Sequence, residues 1–175
     1  NSAGFMGGYP YSRHNIGVSP IAGKGANMHR DYWYSSARDW RVLAEPESVG
    51  RYAAQRTLAR LSARRIKTGR FPVLLEAPLA VGLIGSLVQA TSGGALYRKA
   101  SFLVDALGKP VMADHIDVLE DPFVPGAMGS SAFDDEGVRT QRRQVVLGGT
   151  LQGYFLSTYT GRKLGMPSTG NAGGS

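Results

Sequence analysis

Residues 71–94, FPVLLEAPLAVGLIGSLVQATSGG, constrain this chain more than any other stretch, because a short apolar run passes directly into a long apolar pattern of period four. Phe71, Val73, Leu74 and Leu75, behind Pro72, predict a covered strand that Glu76 ends. From Pro78 onward Leu79, Leu83 and Leu87 form one row, and Ala80, Ile84 and Val88 form a second beside it. The pattern predicts a helix that is apolar nearly all round and therefore buried. Pro78 suits a first helical turn, and Gly93-Gly94 reads as a left-handed stop. Gly82 and Gly85 each cost about 1 kcal/mol against alanine inside a helix, so a neighbouring backbone or ligand is expected to approach there.

Upstream, residues 1–44 are rich in glycine, serine, tyrosine and tryptophan, and the patches 15–21 and 28–37 alternate in side-chain character. An antiparallel strand meander follows, with a hairpin turn at Gly23 to Gly25. Tyr32, Trp33 and Tyr34, near His29, Arg30 and Arg38, fit either a base-stacking platform or ordinary strand aromatics that alternate between core and surface. The second reading needs nothing further. Glu45-Pro46-Glu47 then opens a helix expected to run to about Lys67, with Val49, Ala53, Ala54, Leu58, Leu61 and Ile66 on its buried side. Between Glu47 and Glu76 no acidic residue occurs, while Arg51, Arg56, Arg60, Arg64, Arg65, Lys67 and Arg70 carry positive charge. Most of the net charge of +7 thus sits in one element. A solvated face, an acidic protein surface and nucleic acid are all compatible with it; nucleic acid ranks last because no recognition motif accompanies the charge. Arg56, Arg60 and Arg64 are the candidate contacts to a protein partner.

Downstream, Phe102–Leu107 predicts a short helix, and Val111–Leu119 a strand. Asp114, His115, Asp117, Glu120 and Asp121 are the densest set of metal-ligand types, but on a strand only His115 and Asp117 share a face. That is half a metal site, and charges protecting an exposed strand explain the cluster better. Gly148-Gly149 between 138–147 and 151–160 predicts a hairpin. Asp135 and Glu136 are candidates for paired carboxylates or for a structural turn closed on Arg139. The backbone around Ser168-Thr169-Gly170-Asn171 could cradle a peptide or anion, or form a loose end. The fold class expected from all this is α+β, in two parts: a strand meander with a basic helix, then a mixed unit built on a buried helix and antiparallel hairpins.

Composition narrows the chemistry. With no cysteine there is neither a disulfide frame nor a thiolate nucleophile or ligand, and a reducing, cytoplasmic setting is expected. No Gly-x-Ser-x-Gly elbow is present. The longest apolar stretch, interrupted by Glu76, falls short of the ~20 residues that span a bilayer. The start without methionine and the glycine-rich finish read as a piece of a longer protein.

Four stretches carry a family resemblance: MGGYPYSRHNIGVSPIAGKGANMHRDYWYSSAR, LLEAPLAVGLIGSLV, GGALYRKASFLVDALGK and FDDEGVRTQRRQVVLGGTLQGYFLSTYTGRKLGMPSTGNAGG. Together they resemble the PmbA branch of the TldD/PmbA metalloproteases. The resemblance implies residues 1–68 as the end of a central domain and 72–175 as the start of a C-terminal one. It further implies work with a TldD-type subunit in peptide maturation and proteolysis. In the TldD branch a His-Glu-x-x-x-His stretch holds zinc at the start of the corresponding helix. Here Glu76 and Val81 stand for the histidines and Ala77 for the glutamate. Since valine cannot ligate and alanine cannot accept a proton, no catalytic or metal residue is assigned, and zinc is expected on the TldD-type partner. Glu76, Asp135, Glu136 and Asn171 are carried forward as substrate or partner contacts, with a second copy of the chain as a further candidate partner. Two other readings stay open: an independent hydrolase with ligands around His115, and a basic interaction module.

Overall fold

A computed structural model describes residues 1–173. The chain divides into two compact units, one made of Tyr9–Pro72 with Gly126–Met128, the other of Asn1–Gly8, Val73–Pro125 and the residues from Gly129 onward. Helices and small antiparallel sheets occur in an α+β arrangement, as expected.

In the first unit β1 (His14–Val18) pairs antiparallel with β4 (Trp33–Ala37), and β2 (Ile21–Ala22) with β3 (His29–Arg30). Gly23 and Gly25 supply the positive φ that turns the inner hairpin. Helix α1 (Pro46–Ala59) packs against β1 and β4. Its buried side is Val49, Ala53 and Thr57, a strict i, i+4 row. The expected stripe was rotated: Leu58 and Ile66 are exposed. Thr57 enters the core because its hydroxyl donates to Ala53 O at 2.9 Å, so no polar group is stranded. The helix also ends earlier than Lys67. Beyond Arg60 the basic residues have no apolar row to hold them against the sheet, and residues 61–76 are exposed and irregular.

In the second unit β5 (Val118–Glu120), β6 (Arg143–Leu147) and β7 (Thr150–Leu151) form an antiparallel sheet in that order, with a bulge between Val118 and Leu119. Gly148 and Gly149 both have positive φ and close the expected β6–β7 hairpin as a two-residue loop. Around the sheet lie α2 (Ala77–Ala90), α3 (Gly93–Tyr97) and α4 (Thr158–Leu164). The core gathers Leu87, Leu96, Leu103, Val145, Val146, Leu151, Tyr154 and Leu156.

Several expectations change here. Residues 71–75 form no strand, and Leu74 is 98% exposed. A strand is completed by hydrogen bonds to a neighbour, and no described residue pairs with this segment. Only the C-terminal end of α2 is buried, at Leu87, while Leu79, Val81 and Leu83 are exposed. Gly93 and Gly94 do not stop α2. They open α3, whose N-cap Ser92 accepts from Ala95 N. A Cβ on Gly93 would lie 2.3 Å from Thr160 Oγ1 and 2.9 Å from a Leu156 methyl, so this glycine is where close approach is required. At Gly82 and Gly85 a Cβ would meet nothing within 4 Å. Residues 102–107 form turns rather than a helix, and most of 111–119 is loop tied to Gly149, whose carbonyl accepts from Val111 N and Met112 N. The second hairpin arm ends at Leu151, and within the stretch expected to be strand α4 begins at Thr158, set by a capping box between Ser157 and Thr160.

Candidate functional site

In the first unit the basic residues turn partly inward. Asp31, buried, accepts from Arg60 Nε at 2.9 Å and lies 3.4 Å from Arg56 Nε. The Arg60 hydrogen bond, then the Tyr32 amide, hold the Asp31 carboxyl below its ordinary value. Arg56 is only 18% exposed and lies over the rings of Trp33 and Tyr52, at 5.2 and 5.9 Å. Arg56 is therefore part of the packing between α1 and β4, which corrects its assignment to an exposed contact face. Arg64 lies beyond the helix and is exposed. Tyr32 and Tyr34 stack on each other at 6.2 Å on the outer face of β4, where Gly17 across the strand leaves Tyr34 room. Trp33 points inward, the alternation expected of strand aromatics.

In the second unit the adjacent Asp135 and Glu136 and the distant Asn171 belong to one loop system. Its organiser is Asp134, a residue that sequence reasoning passed over. One carboxylate oxygen of Asp134 accepts from Glu136 N and Val138 N, and the other from Ala172 N, each at 2.9 Å. The first of these bonds is the Asp-led turn that an Asp-Asp-Glu-Gly sequence advertises. Asp135 N donates to Ala172 O. Glu136 does not close on Arg139: its carboxylate accepts from Thr158 N at 2.6 Å, at the positive end of α4. Asn171 donates to Glu120 at 2.5 Å and accepts from Thr169 and Arg143. Glu120 and Arg143 are 2.5 Å apart and largely buried, and Arg143 lies over the Phe155 ring. Gly170 N donates to Ser168 Oγ, while Thr169 N and Asn171 N donate to Leu156 O. The segment 168–172 is thus a packed strap in which the amides of Thr169, Gly170, Asn171 and Ala172 are spent within the chain, neither a cradle nor a loose end.

The acidic set around His115 disperses. Asp114 and His115 face each other at 3.6 Å on the exposed loop. Asp117 accepts from Gly148 N, and Asp121 pairs with Arg142. Glu76 is the N-cap of α2, exposed, with its carbonyl accepting from Leu79 N and Ala80 N. It lies at one end of an exposed apolar helix, followed by Ala77 and, five residues on, by the exposed Val81. Lower on α2, Gly82, Gly85, Ser86 and Gln89 form one side of an open groove of about 440 Å³ that Ala100 and Phe102 complete. Among the described residues no three His, Cys, Asp or Glu side chains come together to hold a metal, so the donor set here does not fit a zinc ion. No helix among them is long and apolar enough to cross a membrane.

The arrangement is that of a two-part α+β protein whose second part presents a glycine-grooved apolar helix beside a sheet. Residues 68–175 match the PmbA/TldA metallopeptidase C-terminal domain, and residues 1–61 the PmbA/TldA metallopeptidase central domain. The chain belongs to the PmbA/TldD metallopeptidase family. It is 44% identical to the metalloprotease PmbA of Escherichia coli O157:H7 over 174 residues, covering 99% of this chain and 39% of that protein. A PmbA homologue from Haemophilus influenzae is 41% identical over the same shares. The crystal structure of a proposed modulator of DNA gyrase from Bacteroides thetaiotaomicron superposes with a TM-score of 0.90 at 27% identity, over 97% of this chain and 39% of that one. The chain therefore spans about two-fifths of the length of the relatives it matches.

Proposed function

We propose that this chain is the component of a cytoplasmic PmbA/TldD-type peptidase that carries no zinc of its own and contributes the wall of a peptide cavity. A TldD-type subunit supplies the metal and the base, and the assembly acts in peptide maturation and proteolysis. What supports the reading is the start of α2, where the resemblance to the TldD branch sets Glu76, Ala77 and Val81 against the two histidines and the glutamate of its zinc stretch. One carboxylate cannot hold a catalytic zinc, which takes three protein ligands and keeps a position for water. The exposed Leu79, Val81 and Leu83 fit a helix that lies against another surface in an assembly. Glu76, at the mouth of that helix, is the residue here best placed to touch a peptide or partner. Asp31 offsets one of the two charges on Arg56 and Arg60, and Arg56 is packed over Trp33 and Tyr52 rather than on an open face, which counts against a nucleic-acid module.

The test is co-purification of the complete protein with a TldD-type subunit, followed by zinc content and peptide cleavage for each component and for the mixture. The expected result is zinc on the partner, activity only in the mixture, and retention of that activity in Glu76→Gln. Stoichiometric zinc and chelator-sensitive cleavage by this protein alone would overturn the proposal.

A further inference from the structure

In the first unit the β2–β3 hairpin and the end of α1 come together. Thr57 Oγ1 lies 3.4 Å from Pro20 O at the start of the hairpin, and a Cβ on Gly23 would lie 3.1 Å from a Leu61 methyl. The contact sets Lys24 and Arg30 of the hairpin beside the start of the basic run that leaves α1, which holds Arg60, Arg64, Arg65 and Lys67. The same two segments expose Ile21, Leu58 and Ile66.

The acids of this unit do not neutralise that patch. Residues 9–72 hold twelve of the chain's 20 basic residues but four of its 13 acidic ones. Of those four, Asp31 is buried against Arg56 and Arg60, and Asp39 is held by Arg41. Glu45 and Glu47 sit at the opposite end of α1, roughly 20 Å away along a 14-residue helix. That is more than twice the Debye length of about 8 Å at physiological ionic strength, so they are screened from the patch. The positive field there is left to an outside partner.

The side chains beside the charges decide which kind of partner fits. A bilayer interface and single-stranded nucleic acid both draw on Trp, Tyr or Phe, and residues 21–30 and 58–70 contain none of them. The patch instead has Arg30, Arg60, Arg64 and Arg65 against Lys24 and Lys67, with aliphatic groups between. Protein interfaces favour Arg over Lys, and the guanidinium fork matches a carboxylate.

We propose that this patch docks an acidic segment of another protein, whose carboxylates meet Arg64, Arg65 and Lys67 and whose apolar side chains cover Ile21, Leu58 and Ile66. The patch belongs to the first unit alone, so its failure would leave the proposed role of α2 untouched.

The probe is a fluorescein-labelled peptide of Glu-Leu-Asp repeats, measured by anisotropy on the 175-residue protein. It is compared with a version carrying serine for leucine, with an oligothymidylate of equal length, and with vesicles of equimolar phosphatidylglycerol and phosphatidylcholine. The Glu-Leu-Asp peptide is expected to bind most tightly, and the serine version about tenfold or more weakly. Replacing Arg64, Arg65 and Lys67 together by glutamine should also cost about tenfold or more, since each exposed ion pair is worth up to about fivefold. All three residues are exposed and outside any helix or strand, so an unchanged melting temperature is expected of this variant. Added salt should weaken binding to the natural sequence in the same direction, with no substitution made. No binding up to millimolar peptide, equal binding of the serine version, undiminished binding in the folded triple variant, or tighter binding of the oligothymidylate or the vesicles would each overturn the proposal.

Discussion

Helices α1 and α2 are both 14 residues long, and each follows a glutamate N-cap with a proline in its first turn. In sequence α1 is the charged one and α2 the apolar one. By hydrophobicity alone α2 should be the more deeply buried. The structure reverses this over most of their length: α1 buries Val49, Ala53 and Thr57 against β1 and β4, whereas α2 buries Leu87 and leaves the rows above it open. Hydrophobicity measures how much a helix gains from cover, at about 25 cal/mol per Å². It does not name what covers it. For α1 the cover lies a few residues away in sequence, on the meander just before it. For α2 the described residues supply cover only around Leu87.

The comparison can be broken most directly with two truncations on one helix. Leu87→Ala empties a buried site (9% exposed) and should cost about 2–3 kcal/mol, whereas Leu83→Ala (59% exposed) should cost under about 0.5 kcal/mol. Urea unfolding of the 175-residue protein measures both. Equal costs would mean that α2 is covered along its whole length.

The glycines sharpen it further. Gly93→Ala pushes a methyl into Thr160 and Leu156 and should destabilise by about 1–3 kcal/mol. Gly82→Ala and Gly85→Ala enter open space and should each stabilise α2 by up to about 1 kcal/mol, read as a rise in melting temperature. The same two substitutions, carried into the complete protein with a TldD-type subunit, become a proximity test. Weakened assembly there would mark these glycines as the place where a partner's backbone comes close.

The smallest effect concerns the cover of α1. The Asp31 carboxyl is held below its ordinary value of 3.8 by Arg60 and the Tyr32 amide, so it binds fewer protons in the folded than in the unfolded state. Its stabilising contribution is therefore complete above that ordinary value and lost as pH falls through the lowered one. Asp31→Asn should be less stable than the natural sequence at neutral pH, and the gap should close in acid. A gap independent of pH would show that the arginine pairing contributes nothing to holding α1 on its sheet.

Sequence by itself determined whatever depends on local stereochemistry. The Gly23–Gly25 and Gly148–Gly149 turns follow from the need for positive φ, both helix starts from proline and glutamate, and the alternating fates of Tyr32, Trp33 and Tyr34 from the two faces of a strand. The family, too, was legible in its long blocks of residues. Only the tertiary structure decided matters that turn on a distant neighbour. Asp134 became an organiser because Ala172, remote in sequence, brings it an amide, and the Asp135, Glu136 and Asn171 candidates became parts of that same scaffold. Arg56 and Arg60 turned toward Asp31 because a carboxylate across the unit outweighs the local run of like charge. Gly93 rather than Gly82 or Gly85 is the crowded glycine because Thr160 packs there. Pattern specifies what each residue can do with its own backbone and its nearest turn, while burial and pairing are properties of two surfaces, and the second surface is written elsewhere in the chain.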